Sequence, residues 1–245
     1  MLYYDELGST MDEAWRLAEQ EASEGTAVLA YTQTRGRGRW GRSWISPPGA
    51  SVNLSVVIYP PQEVVPRLSI GAGLAAVLVV ERLTGLACTM KWPNDVLLRG
   101  RKVAGVLVEA RVSESGAAMA VVGMGLNLNF DPALYPEIAV TATSIMKETG
   151  VRSEVNVAAE AVLDALDRVY SDLLEGRDLL PEWRSRLETL GRHVEVRWKE
   201  SVERGLARDV DSEGSLVLER SDGSTVLVPA GEVAFEGQRP HDPRC

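Results

Sequence analysis

The sequence predicts an α+β fold: a mixed or antiparallel sheet with helices (residues 1–189), a small β domain (190–237) and a flexible tail (238–245). Strand-like and helix-like segments alternate in the first part. Only short strand-like segments follow, which is typical of a small β-barrel of SH3-like size. A length of 245 residues is sufficient for one larger domain with a small companion.

The first part begins with a helix between two strand-like segments. Residues 2–7 and 26–33 predict strands, and the intervening segment STMDEAWRLAEQEASEG predicts a helix. Thr10 and Glu13 are spaced as a capping box, which favours a helix start at this point. A further strand is predicted over residues 51–60, where a pair of prolines ends it.

A long apolar helix and a hairpin come next. Residues 63–84 predict a helix, whose apolar centre IGAGLAAVLVV is typical of burial. Residues 95–112 predict a β-hairpin with Gly100 in its turn, and residues 119–130 predict another strand. Two closing helices are predicted at about residues 153–175 and 180–189.

The predicted β domain begins near Gly191. Turn signals at residues 213–214 and 222–223 separate short strands, and the second of them is a hairpin signal. The strand-like segments are HVEVRW, ESVERGLARDV, SLVLER and STVLVPAGEV.

Composition excludes several classes of function. The formal net charge of −9 argues against an extended polyanion as partner. Two cysteines and two distant histidines are too few for a disulfide framework, a thiolate zinc site or a histidine triad, so we predict no metal ligands. There is no run of about 18 uncharged apolar residues and no secretory signal, so we expect no membrane span and a cytoplasmic location.

An arginine and glycine segment stands out in this acidic chain. Residues 35–42 hold four arginines interleaved with three glycines, and Trp40 and Trp44 lie within or beside them. The segment is consistent with a solvated loop, with an RGG-like contact to nucleic acid, or with a cradle for a small anion. The cradle is favoured because glycine frees backbone N–H groups and arginine offers two parallel donors.

Two further segments could serve an anion site. Only four of the 26 basic residues are lysines, and Lys91 and Lys102 both lie in KWPNDVLLRGRKVAG. Lys102 could project from the rigid hairpin, although a lysine whose stem merely covers apolar surface fits as well. In GMGLNLN, Gly123 and Gly125 permit close approach of a ligand, but an ordinary sheet strand would also have this sequence. No P-loop or Rossmann motif is present.

Taken together, these segments resemble the biotin protein ligase family. The matching pieces are GST near the start, QTRGRGRWGRSWISPPGASVNLS, KWPNDVLLRGRKVAGVLVE and VGMGLNLN, in the family's order and spacing. The resemblance implies a class II synthetase-like catalytic domain with an SH3-like C-terminal domain. Because no helix-turn-helix segment precedes the match, we expect the monofunctional form, with no DNA partner.

The resemblance also implies roles for individual residues. Lys102 and Arg37 would be catalytic. The biotin site would comprise Ser9, Thr10, Met11, Gln33, Gly36, Arg37, Gly38, Arg39, Lys102 and Gly105. The ATP site would comprise Arg37, Arg39, Trp44, Asn94, Lys102 and Asn127. Met11, beside the expected biotin contacts, and Glu236, near the C-terminal GEV, depart from the residues that many members have at these positions.

The implied reaction has two steps. Biotin and MgATP would form biotinyl-5′-AMP and pyrophosphate, and a lysine of a biotin carboxyl carrier protein would then displace AMP. Biotin, ATP, Mg²⁺ and the carrier are therefore the expected partners, and a homodimer through sheet edges is one expected assembly. A lipoate or octanoate ligase or transferase of the same fold is the main alternative, and an RNA-binding module with an RGG-like loop is a remote one.

Overall fold

A computed structural model describes residues 1–114, 116–198 and 201–235. The strands are β1 (Leu2–Leu7), β2 (Ala27–Gln33), β3 (Ser51–Ile58), β4 (Thr89–Lys91), β5 (Asp95–Leu98), β6 (Arg101–Val112), β7 (Ala118–Asn127), β8 (His193–Trp198), β9 (Ser201–Val210), β10 (Leu216–Glu219), β11 (Thr225–Val228) and β12 (Glu232–Phe235). The α-helices are α1 (Thr10–Glu19), α2 (Leu68–Thr84), α3 (Ile145–Thr149), α4 (Val155–Leu174) and α5 (Leu180–Arg186). Short 3₁₀ helices lie at Arg39–Gly41, Gln62–Arg67 and Pro132–Leu134.

The first seven strands form one mixed sheet, as the sequence predicts. Their order is β1-β2-β3-β7-β6-β5-β4. Only β1 and β2 run parallel among the pairs of this sheet, since every other neighbouring pair is antiparallel. The hairpin of β5 and β6 forms where it is predicted, with Arg99 and Gly100 at positive φ in its turn.

Helices cover both faces of this sheet. On one face α1 packs against Val28, Val57 and Val121, so that a small apolar cluster lies beneath it. On the other face α2 and α4 pack over the larger core. Alternate residues of a strand point to opposite faces, so β3 and β7 supply side chains to both clusters. Beside the start of α1, the sheet carries Gln33 and Ser55, which hydrogen-bond Thr10.

The predicted helix over residues 63–84 begins later than expected. Residues 62–67 form a 3₁₀ helix and α2 starts at Leu68. Pro66 explains the difference, because proline lacks an N–H donor and disfavours the α conformation in the residue before it. By length and composition, Gln62–Thr84 could cross a membrane, but 67% of its apolar window is buried within the protein, which is typical of a core helix.

The C-terminal strands form a separate antiparallel sheet in the order β11-β10-β9-β8-β12. The sequence predicts four strand segments here, with turns at residues 213–214 and 222–223, but STVLVPAGEV forms two strands, β11 and β12, because Pro229 and the residues after it interrupt the pairing. The predicted barrel closure is not found, because no pairing joins β11 to β12 within the described residues. The predicted tail, residues 238–245, lies outside the described residues.

Cys88 lies in the larger core and is only 3% exposed. Burial, and to a smaller extent the Glu81 carboxylate, raise the pKa of the Cys88 thiol to about 12. The thiolate is the reactive form, so we expect alkylation at pH 8 to be at least roughly 100-fold slower in the folded chain than in denaturant. A Cys245→Ser variant isolates this thiol for labelling with iodoacetamide. Equal rates in the two states would contradict the prediction.

Candidate active site

Four backbone positions define the floor of the candidate site. Asn53 of β3, Gly125 of β7, Gly105 of β6 and Asp95 of β5 are direct cross-strand neighbours in successive pairs. Residues that oppose each other in neighbouring strands project on the same face of a sheet. We call these four residues the glycine row. Two of its four members lack side chains, so its centre is open backbone.

Trp44 lies across the glycine row. A Cβ atom at Gly125 would lie 2.4 Å from Trp44 Cε2, and one at Gly105 would lie 3.3 Å from Trp44 Cζ3. The indole Nε1 donates a hydrogen bond to Asn53 Oδ1 at 3.1 Å. The two glycines are therefore needed for close approach of an aromatic ring to the sheet.

Lys102 reaches the same floor from β6. Its ammonium lies 2.6 Å from Asp95 Oδ1 and 5.5 Å from the centroid of the Trp44 ring. A Cβ atom at Gly105 would lie 3.0 Å from Lys102 Nζ. The lysine thus projects over the row between an aromatic ring and a carboxylate, as expected for a group held in a binding site.

The start of α1 forms a polar wall beside this floor. The predicted capping box is wrong in register, because the N-cap is Ser9 and Thr10 is the first helical residue. The Thr10 backbone N–H donates instead to Gln33 Oε1 at 2.8 Å, and Ser55 Oγ donates to Thr10 Oγ1 at 2.8 Å. The Ser9 hydroxyl is buried and has no hydrogen-bond partner among the described residues.

Met11, the next residue of the wall, packs on the sheet. A Cβ atom at Gly123 would lie 2.5 Å from Met11 Sδ, so the thioether occupies the space beside this second glycine of β7. Met11 is 3% exposed and belongs to the small apolar cluster under α1. At this position the chain therefore offers an apolar surface.

The arginine and glycine loop is tied down by three carboxylates. Arg37 pairs with Asp12 of α1 at 2.9 Å and with Glu109 of β6 at 3.0 Å. Arg42 pairs with Glu232 of β12, in the C-terminal sheet. These partners keep the loop over the floor and join it to both sheets.

Arg39 differs from Arg37 and Arg42 because the group that accepts its hydrogen bond is uncharged. It donates to the Gly231 carbonyl at 3.3 Å. Burial lowers the pKa of Arg39, while the charges of Asp95 and Glu232 oppose that shift. The loop, with Leu107, Glu109 and Ala230, lines a cavity of about 580 Å³. A cationic, partly enclosed space of this kind suits a small anion.

The two predicted asparagines have different surroundings. Asn94 donates to the Val106 carbonyl at 2.6 Å, so its amide fastens the β5–β6 hairpin. Asn127 donates to the Thr143 carbonyl at 2.9 Å, and its buried Oδ1 has no hydrogen-bond partner among the described residues. An unpaired buried acceptor is unfavourable unless something else binds it, so Asn127 is the better placed of the two to meet a ligand.

Sequence reasoning missed several residues of this site. Asn53 and Ser55 are polar at alternate positions of SVNLS, which is a signal for a polar strip on one face of a strand. The counter-ions Asp12, Glu109 and Glu232 carry no comparable signal, because their partners are distant in sequence.

The chain matches known proteins along most of its length. Residues 5–127 match the Biotin/lipoate A/B protein ligase family, and residues 189–235 match the Biotin protein ligase C terminal domain. A biotin--[acetyl-CoA-carboxylase] ligase from Paracoccus denitrificans is 34% identical over 94% of this chain and 98% of that protein. The biotin--[acetyl-CoA-carboxylase] ligase from Mycobacterium tuberculosis is 35% identical over 89% of this chain and 82% of that protein.

Solved structures agree with these matches. A biotin protein ligase from Aquifex aeolicus, in complex with biotin and ATP, superposes with a TM-score of 0.81 at 28% identity. The superposition covers 96% of this chain and 97% of that chain.

Proposed function

Because the chain belongs to the biotin protein ligase family, we propose that the basic side chains around the glycine row bind biotin and ATP side by side. The chain is an ATP-dependent biotin ligase. Its reaction joins the biotin carboxylate to the α-phosphorus of ATP with release of pyrophosphate, and an amine then takes the biotinyl group and displaces AMP. The observation that carries this proposal is Lys102, which projects over a floor of glycine beside Asp95.

The first step brings two anions together. A carboxylate and a triphosphate repel each other, so cationic donors fixed around both lower the barrier. In our proposal Lys102 and Arg37 screen this repulsion and stabilise the charge that develops at phosphorus, and Arg39 contacts the phosphates. Arg37 must exchange its bonds to Asp12 and Glu109 for bonds to the ligand, which couples ligand binding to movement of the loop.

We assign the remaining residues to biotin or to the nucleotide according to the part of the site in which they lie. Ser9, Thr10 and Gln33 would hold the polar ring of biotin, since an unpaired Ser9 hydroxyl lies at the start of α1. Met11, Gly36, Gly38 and Gly105 would line the same pocket. Trp44 would pack on the adenine, and Asn94 and Asn127 would lie at the nucleotide. The loop would also exclude water, which protects a reactive mixed anhydride.

We also propose that ATP enters as its Mg²⁺ complex. Mg²⁺ is usually held by one or two carboxylates together with substrate phosphates and water. No group of three His, Cys, Asp or Glu side chains suited to a metal is present in the described part of the chain. Asp95, beside Lys102, fits the lesser requirement of a single carboxylate, and the ion would supply charge neutralisation of the phosphates.

The acceptor in our proposal is a lysine of a biotin carboxyl carrier protein. The same proposal places the enzyme in the cytoplasm, where carrier and ATP occur together. For a homodimer, β1 and β4 are the outer strands of the seven-stranded sheet. Sedimentation velocity at several protein concentrations would decide between monomer and dimer.

The substrate can be tested by ATP–pyrophosphate exchange. We expect exchange with biotin and ATP in the presence of Mg²⁺, and background rates with lipoate, octanoate or no acid. Exchange with lipoate or octanoate would move the chain to the alternative activity. That alternative is not favoured, because the relatives and structures described above are biotin ligases. RNA binding without ATP turnover would support the remote alternative.

A further inference from the structure

A cluster of charges lies where the glycine row meets the C-terminal sheet. It contains four cations and two carboxylates, which influence one another electrostatically. Its members are Lys91, Lys102, Arg39, Arg42, Asp95 and Glu232. The excess of positive charge is unexpected in a chain with a formal net charge of −9. An anion of two or more charges would balance it.

Lys91 is the member of this cluster that the proposed function does not use. Lys102 pairs with Asp95, and Arg42 pairs with Glu232. Lys91 has no ion pair among the residues that the structure describes. Its ammonium lies over the ring of Phe235 instead, 5.3 Å from the centroid. A half-buried cation without a carboxylate partner is unfavourable unless another anion reaches it.

The position of Lys91 extends the floor of the site. Lys91 of β4 is the direct cross-strand neighbour of Asp95, and Asp95 is the neighbour of Gly105. Lys91 is therefore the next residue of the glycine row, two strands beyond Gly105. Neighbouring strands lie about 5 Å apart, so the row continues for roughly 10 Å past Gly105. This distance suits an extended ligand that carries charge at its far end.

We propose that Lys91 binds the β- and γ-phosphates of ATP and positions the pyrophosphate leaving group, with Phe235 of the C-terminal sheet supporting its ammonium. This inference rests on the proposed function. In the first step the biotin carboxylate oxygen forms a bond to the α-phosphorus, and the bond from that phosphorus to the bridging oxygen breaks. The electron pair stays on the β-phosphate, so negative charge grows where a fixed ammonium would stabilise it.

Burial supports this assignment. It lowers the pKa of Lys91, and the neighbouring cations Lys102 and Arg42 act in the same direction, while Asp95 and Glu232 oppose the shift. A bound triphosphate would add negative charge beside the ammonium and would favour its protonated form. The C-terminal sheet thus contributes Phe235 and Glu232 to the nucleotide end of the site.

Measuring adenylation and transfer separately distinguishes a role of Lys91 in phosphate binding from a purely structural role. Pyrophosphate leaves after the first step, so Lys91 should matter for adenylation and not for transfer. We expect Lys91→Met to raise the KM for ATP and to slow single-turnover adenylation by about 10²-fold, and Lys91→Arg to recover most of that loss. The KM for biotin should stay unchanged. Transfer from supplied biotinyl-5′-AMP to hydroxylamine should also keep its rate.

Lys147→Met removes a lysine that pairs with Asp131 away from the charge cluster, and it should leave both half-reactions unchanged. Unchanged adenylation in Lys91→Met, or equal losses in both half-reactions, would overturn the inference. If the methionine variant loses its folded thermal transition, Lys91→Gln replaces it. Absence of biotin-dependent exchange in the unmodified enzyme would count against the proposed function instead.

Discussion

Replacing Lys102 with alanine is expected to slow formation of biotinyl-5′-AMP by about 10²–10³-fold, the usual effect of removing one donor that stabilises transition-state charge. The substitution removes the ammonium that lies over the glycine row and leaves Asp95 without its partner at 2.6 Å. Both changes make the space over the glycine row, where we propose that the α-phosphate binds, more negative. Single-turnover assays with saturating biotin and ATP would measure the effect.

Two controls make this result specific. Lys147→Ala removes a surface lysine outside the site and should leave the rate unchanged. Lys102→Arg keeps the charge but changes its shape, so it should recover only part of the activity, because arginine and lysine present different donor geometries. Adenylation by Lys102→Ala at the unmodified rate would remove Lys102 from the mechanism.

Replacing Trp92 with alanine is expected to lower the free energy of unfolding by about 3–5 kcal/mol. Trp92 is 2% exposed and belongs to the larger core. Its indole Nε1 donates to the Gly214 carbonyl at 2.8 Å, and its backbone N–H donates to Thr189 Oγ1 at 2.9 Å. The side chain therefore fills the core and bonds a turn of the C-terminal sheet at the same time.

Urea denaturation would measure this loss. Trp92→Phe keeps most of the volume and removes the indole donor, so it should cost much less than the alanine variant, on the order of 1–3 kcal/mol. Trp40→Ala is the surface control, because Trp40 is 55% exposed and its loss should change stability by less than about 0.5 kcal/mol. Similar losses in Trp92→Ala and Trp40→Ala would show that burial of Trp92 is not what matters.

Elements with a clear period are predicted well from the sequence. The strands over residues 51–60 and 95–112 and the helix near 153–175 all form, with small shifts of their ends. By contrast, α3 is missed, because five residues are too short to show a helical period. Closure of the predicted barrel depends on how the outer strands meet in space, which strand patterns do not specify.

In the site, too, local motifs are predicted from the sequence and contacts between distant residues are not. The arginine and glycine loop, Lys102 and the glycines of β7 are visible as motifs, because each motif is a local requirement for charge or close approach. The pairs of Arg37 with Glu109 and of Arg42 with Glu232 join residues that are distant in sequence. Their proximity results from packing of the loop on both sheets, so a single sequence does not reveal it.

The glycine row has a consequence for selectivity. The centre of the row is backbone covered by the Trp44 indole, so this part of the site presents few polar groups that could tell one acid from another. In our proposal, discrimination between biotin and lipoate, which lacks a ureido ring, comes from the hydrogen-bonding wall at the start of α1. A wall that pairs with a ureido group rejects ligands that lack one, because its polar groups would be left unpaired. In our proposal, accuracy and catalysis therefore belong to different parts of the site, and a change in the wall would alter which acid is chosen while the charged groups stay as they are.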